Sequence, residues 1–296
     1  TTLFRSEKRK GFFGSIPQAG VTIGMLMATF IVSLMTLFSE ADFLSWGWRI
    51  PFLLSSVLVL LGLWIRKDID ETPDFQKVKA SGQVAKAPLR DTLKHHWREV
   101  LIAAGLKVVE TAPFYIFSTF VVSYATSTLT YQKSQALEAV TLGALVATIM
   151  IPLMGLLSDK VGRQRMYAIS VFVLGLFIVP WFMLLNTGTT WGIVLATVIA
   201  FGVLWAPVTA VLGTLCSEIF SANVRYTGIT LGYQLGAALA GGTAPLIATG
   251  LLAKYDGDWV PVAWYLAVTV TISLIAIFCA SRVKRATLIQ AQPERL

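Results

Sequence analysis

The stretch Gly155-Leu-Leu-Ser-Asp-Lys-Val-Gly-Arg-Gln-Arg165 joins two apolar runs, 136–157 and 166–185, each long enough to cross a bilayer. A transmembrane helix needs about 20 predominantly apolar residues. So short a connection makes the two helices antiparallel neighbours. It carries one carboxylate, Asp159, three cations, Lys160, Arg163 and Arg165, and the glycines 155 and 162. Asp159 can bridge to a basic residue or cap a helix N-terminus. Contacts of that kind can break and reform as two groups of helices rock.

Outward from this loop the same texture covers the chain. Eight runs read as spans: 14–38, 46–65, 100–124, 136–157, 166–185, 190–216, 227–252 and 259–281. Of the 296 residues 55% are hydrophobic and only 14% charged, against roughly 25% charged in soluble domains. One soluble core could not hide that much apolar surface. The runs are continuous rather than alternating, which selects helices over a barrel. The fold class is therefore all-α integral membrane. Each span contains or opens on a proline: Pro17, Pro51, Pro113, Pro152, Pro180, Pro207, Pro245 and Pro261. These allow either ordinary curvature or hinged helices around a cavity.

The net charge of +8 is placed by membrane topology. Twenty of the 24 lysines and arginines fall in every second connection or at the termini. This is the positive-inside asymmetry, which puts both termini in the cytoplasm. A nucleic-acid-binding patch would not follow span parity.

Seven residues recur at an offset of 216: Phe4/Phe220, Arg9/Arg225, Gln18/Gln234, Gly20/Gly236, Asp42/Asp258, Trp48/Trp264 and Arg66/Arg282. Segments 4–66 and 220–282 thus read as two copies of one unit, both starting on the basic side. The second copy follows about four further spans, whereas the first opens the chain. The organisation expected is a pair of helices (1–66), a cytoplasmic linker (67–98) with a short amphipathic helix near Thr92–Glu99, a six-helix bundle (99–285) and a cytoplasmic tail (286–296).

Lys107 and Glu110 are the charges deep in a span, about 10 and 15 Å from its start at Val100. Three residues apart, they share one helix face, and neither can face lipid without a large cost. Two readings stand: a mutually neutralising pair that packs the bundle, or a cavity site in which Lys107 attracts an anionic group and Glu110 exchanges a proton. Thr111, Tyr115, Ser118 and Tyr124 add hydroxyls to that span. Gln18 and Gln234, equivalent in the repeat, either lock helices or line a central cavity; Trp205 reads as core or as a solute contact. The stretch 232–242, rich in glycine and alanine, permits close helix contact. Cys216 and Cys279 sit in separate spans, and His95 and His96 have no cysteine partner, so no metal site or cofactor is expected. No H-E-x-x-H or G-x-S-x-G pattern appears, which argues against a membrane enzyme.

The 155–165 loop resembles the signature loop G-x-x-x-D-[RK]-x-G-[RK] of the major facilitator superfamily. Ser217-Glu218 through Arg225-Tyr-Thr-Gly228 resembles that family's glutamate–arginine relay at the next cytoplasmic turn. Lys10-Gly-Phe-Phe-Gly-Ser-Ile-Pro-Gln18, Trp46-Gly-Trp-Arg-Ile-Pro51-Phe, Glu71-Thr-Pro73, Gly228-Ile-Thr-Leu-Gly-Tyr-Gln234 and Gly241-Gly-Thr-Ala-Pro245 are similar to the metabolite:proton symporter subfamily, whose members carry shikimate, 2-oxoglutarate, citrate, proline and betaine. Residues 99–252 are especially similar to an enterobacterial inner-membrane member. The resemblance implies an incomplete facilitator fold: spans five to twelve of twelve, that is, the last two helices of an N-terminal bundle and the six-helix C-terminal bundle. It implies a monomeric secondary transporter in the bacterial inner membrane. Such a protein moves a small polar metabolite, an organic acid or zwitterion, with H+ as partner ion and by alternating access. Its substrate and proton site would comprise Lys107, Glu110, Tyr115, Gln18, Gln234 and Trp205. Gly155, Asp159, Lys160, Gly162, Arg163, Arg165, Glu218 and Arg225 would form the cytoplasmic gate. The alternative is a non-transporting sensor or scaffold built on the same bundle.

Overall fold

A computed structural model describes residues 9–35, 42–67, 88–220 and 224–290. Phe4, most of the linker and the end of the tail lie outside these residues. Eight helical segments among the described residues are long and apolar enough to cross a membrane: Lys10–Ile31, Phe43–Ile65, Trp97–Ser127, Lys133–Val161, Arg163–Leu185, Thr190–Ser217, Arg225–Lys254 and Val260–Arg282. They are called the first to eighth spans below. They coincide with the eight runs read from the sequence, and the chain is a multi-pass helical membrane protein.

Burial divides the spans into interior and peripheral. In the third and sixth spans 67% of the most apolar window is buried, and in the second none is. The third span packs against the seventh and eighth, and the first against the fourth and sixth. The exposed side chains of the second span, such as Phe52, Leu53, Leu60 and Trp64, are apolar. In a bilayer this costs nothing, because acyl chains are as apolar as leucine.

Both interior spans leave α-helical geometry midway. The third runs α over Trp97–Tyr115, π over Ile116–Phe120 and α again over Val121–Ser127. The sixth is π over Val198–Leu204. The first break follows Pro113, which brings no N–H to the helix; π turns of this kind often mark functional sites. Phe114, Phe201 and Trp205 meet between the two breaks, with ring centroids 5.2–5.7 Å apart.

Two expected boundaries move. The linker helix is Pro88–His95, not Thr92–Glu99. His96 leaves helical geometry at φ −124°, ψ 21°, and Trp97, Arg98 and Glu99 begin the third span. At the other end the helix runs on from Val260 to Gln290, into the expected tail.

The loop sides differ in how they are held. Tyr131, in the connection after the third span, donates to the carbonyls of Leu185 (2.9 Å) and Thr189 (3.2 Å), tying two connections together. Burial raises its phenol pKa above the ordinary value. On the opposite side Gly162 closes the fourth span at φ 94°. A side chain there would be strained, which accounts for the glycine.

Candidate functional site: a buried charge pair and a latch between helix ends

The third span carries Lys107 and Glu110 into the interior, where they form an ion pair. Their side chains are 15% and 9% exposed, so neither charge is solvated by bulk water. The carboxylate is saturated. Thr111 donates its hydroxyl to Oε2 at 3.0 Å, and Thr209 of the sixth span donates to Oε1 at 3.0 Å. Trp205 donates its indole N–H to the Glu110 carbonyl at 2.7 Å. The sixth span thus holds Glu110 from side chain and backbone at once. A buried charge without such partners would cost several kcal/mol, and these contacts offset that cost for the pair.

Lys107 has a second neighbour, Tyr233 of the seventh span, whose ring centroid lies 4.9 Å from Nζ. Such a cation–π contact favours the charged lysine. Sequence reasoning passed over Tyr233 for its neighbour Gln234. The stretch 232–242 was read as a close-packed seam, and the geometry agrees with that reading. A Cβ at Gly236 would lie 2.5 Å from the Ala104 carbonyl oxygen and 2.7 Å from Lys107 Cβ. Only glycine admits this approach.

The other expected site residues are distributed unevenly. Gln18, on the first span, is half-buried near Gly213 and Tyr233. Trp205 is fully buried in the aromatic cluster and reaches Glu110 through its N–H. Gln234 is exposed and Tyr115 is 37% exposed beside Phe114 and Gly241. Neither is gathered to the pair.

Asp159, on the last turn of the fourth span, caps the first span. Its Oδ1 accepts the Gly11 N–H at 2.7 Å and its Oδ2 the Phe12 N–H at 3.2 Å. Those two amides open the helix Lys10–Met35, where unpaired N–H groups and the helix dipole favour a carboxylate. Arg163 bonds Asp159 at 3.2 Å and pairs also with Glu218. One arginine therefore links the first, fourth and sixth spans through two acids. The crossing is tight: a Cβ on Gly11 would come within 2.5 Å of the Gly155 carbonyl oxygen. Thr148 adds a hydroxyl bond to Thr22 at 2.7 Å. Lys160 and Arg165 are exposed, and Arg225 donates to the Phe220 carbonyl at 3.3 Å rather than to an acid. Of the eight latch residues expected, the geometry joins Gly155, Asp159, Arg163 and Glu218, while Gly162 shapes the turn.

Fold and site together define a multi-pass helical membrane protein with a buried charge pair and a side-chain latch joining helix ends on one side. The sequence profile of the Major Facilitator Superfamily matches residues 2–241 and 114–295, and the chain belongs to that family. It is 31% identical over 283 residues to the Shikimate transporter of Escherichia coli K12, covering 95% of this chain and 65% of that protein. It is 30% identical over 291 residues to the Inner membrane metabolite transport protein YhjE of the same organism, covering 95% and 64%. It is 28% identical over 282 residues to the Proline/betaine transporter of that organism, covering 92% and 56%. The chain therefore spans less than two thirds of the length of each of these relatives.

Proposed function

We propose that the protein is a secondary transporter that takes a small polar metabolite, an organic acid or zwitterion, across the bacterial inner membrane together with a proton. In this reading it acts as a monomer with both described ends of the chain on the cytoplasmic side. The observation that carries the proposal is the Lys107–Glu110 ion pair, buried between helices that leave α geometry beside it. Buried ionisable groups in membrane spans commonly mark solute or proton pathways. The names of the relatives point the same way, covering one organic acid, shikimate, and the zwitterions proline and betaine.

Lys107 and Glu110 would work as a competition. With Glu110 ionised, its carboxylate holds the lysine. A proton taken up on a Glu110 oxygen removes that charge, and Lys107 is then free to hold the carboxylate of the solute. Loss of the solute returns the lysine to Glu110 and expels the proton. Gln18 and Trp205 line or brace the pocket in this scheme. The Asp159–Arg163–Glu218 latch keeps the cytoplasmic side shut until solute and proton are bound, and its opening is the rocking step of alternating access.

The test is uptake of radiolabelled shikimate and proline by cells expressing the complete gene. Lys107→Ala, at matched expression, should abolish uptake of whichever solute the unmodified protein carries. Undiminished uptake would remove Lys107 from the mechanism.

A further inference from the structure

Tyr233 has a buried hydroxyl with no hydrogen-bond partner. Buried phenol groups almost always find one. The hydroxyl is close to two other groups on different spans. The point that a Cβ at Gly213 would occupy lies 3.9 Å from Tyr233 Oη and 3.7 Å from Gln18 Nε2. Gln18 comes from the first span, Gly213 from the sixth and Tyr233 from the seventh. Gln18 is half-buried, and its amide stands beside the same point above Gly213. Lys107 Nζ lies 4.9 Å from the centroid of the Tyr233 ring.

We infer that this gap is a notch in the solute site, that Tyr233 is a binding residue there, and that the group received is a hydrogen-bond acceptor such as a carboxylate oxygen. The inference rests on the transport reading and names residues within it. The donor set carries the chemistry: a phenol O–H, an amide NH2 and the nearby ammonium all donate. A solute oxygen in the notch gives the buried Tyr233 O–H the partner it lacks, with the Gln18 amide beside it, whereas a solute without that oxygen leaves the phenol unpaired. Sites that bury unmet donors reject such analogues strongly. Because Gln18 and Tyr233 belong to helices at opposite ends of the chain, one oxygen would bridge the two copies of the repeat.

Gly213 provides a test that spares the fold. An alanine methyl there meets nothing closer than 3.7 Å, so it fits, yet it fills the gap. In membranes holding the protein from its complete gene, Gly213→Ala and Tyr233→Phe should each raise KM for labelled shikimate or proline about 10-fold with kcat little changed, while Leu246→Ala, at an exposed position, leaves both constants alone. Unchanged KM in Tyr233→Phe and Gly213→Ala overturns the notch. A second arm does not depend on transport. With Cys216→Ala, which leaves no polar group at position 216 beside the Tyr233 hydroxyl, and Cys279→Ser in place, Gly213→Cys should be alkylated by a water-soluble maleimide, and adding Tyr233→Trp should slow the reaction at least 5-fold. No alkylation of Gly213→Cys, where Tyr226→Cys on the exposed surface reacts, also overturns the notch. If the unmodified protein carries neither solute, the transport reading fails and the alkylation arm alone decides whether the notch is an open, water-reachable gap.

Discussion

Replacing Asp159 by alanine should release the Asp159–Arg163–Glu218 latch without unfolding the bundle. Two contributions disappear together. The first span loses its cap, since Asp159 accepts from the Gly11 and Phe12 amides, and loss of an N-cap acceptor costs about 1 kcal/mol, up to about 2. The charge–dipole attraction at a partly buried helix terminus adds up to about 1 kcal/mol beyond the cap. Arg163 is not left unpaired, because it keeps Glu218, so no buried-charge penalty follows. The sum is about 1–3 kcal/mol, and each 1.4 kcal/mol is tenfold in an equilibrium constant. The ratio of latched to released molecules should then fall roughly 5- to 150-fold. Spin labels at the exposed positions Ile16 and Arg165, with Cys216→Ser and Cys279→Ser, report the separation of the two helix groups. The unmodified latch should give one short distance, and Asp159→Ala should add a longer population that dominates. Asp159→Asn, which keeps an acceptor and loses the charge, should fall between. An identical distance distribution in Asp159→Ala would refute the view that this carboxylate holds the cytoplasmic side closed.

Two further outcomes follow from the packing. Gly155→Val puts a side chain 2.7 Å from the Gly11 carbonyl oxygen and 2.8 Å from Ser15 Cβ; overpacking of this kind costs about 1–3 kcal/mol, seen as a lower melting temperature in detergent. Trp205→Phe keeps the aromatic cluster but removes the N–H that bonds the Glu110 carbonyl at 2.7 Å. It should cost about 1–3 kcal/mol and reduce uptake more than it reduces protein level, measured on the same membranes.

The spans were legible in the sequence because lipid leaves no choice: a segment that crosses must be apolar throughout and must close its hydrogen bonds within itself. Lys107 and Glu110 stood out for the same reason, as charges that lipid forbids. Asp159 was legible as a capping or bridging group, but not the helix it would cap. That partner, Gly11, lies 148 residues away, and only tertiary packing brings them together. The choice of Gln234 over Tyr233 came from pairing it with Gln18 through the repeat. The glycine seam held the better signal. Gly232 and Gly236 face the third span, and a residue two positions from each lies about 200° around the helix. Gln234 is therefore turned away from the seam, while Tyr233, one step from Gly232, stays beside it. The linker helix was placed late because its charge pattern runs without interruption into the third span; the break at His96 is a change of direction, not of composition.

The account depends most on Glu110 as the proton's station. Uptake of labelled shikimate and proline into liposomes reconstituted with the complete protein, with and without an inward proton gradient, measures this directly. The gradient should drive accumulation by the unmodified protein, and Glu110→Gln should lose that response while still exchanging solute across the membrane at equilibrium. Gradient-driven accumulation that survives in Glu110→Gln would contradict the account.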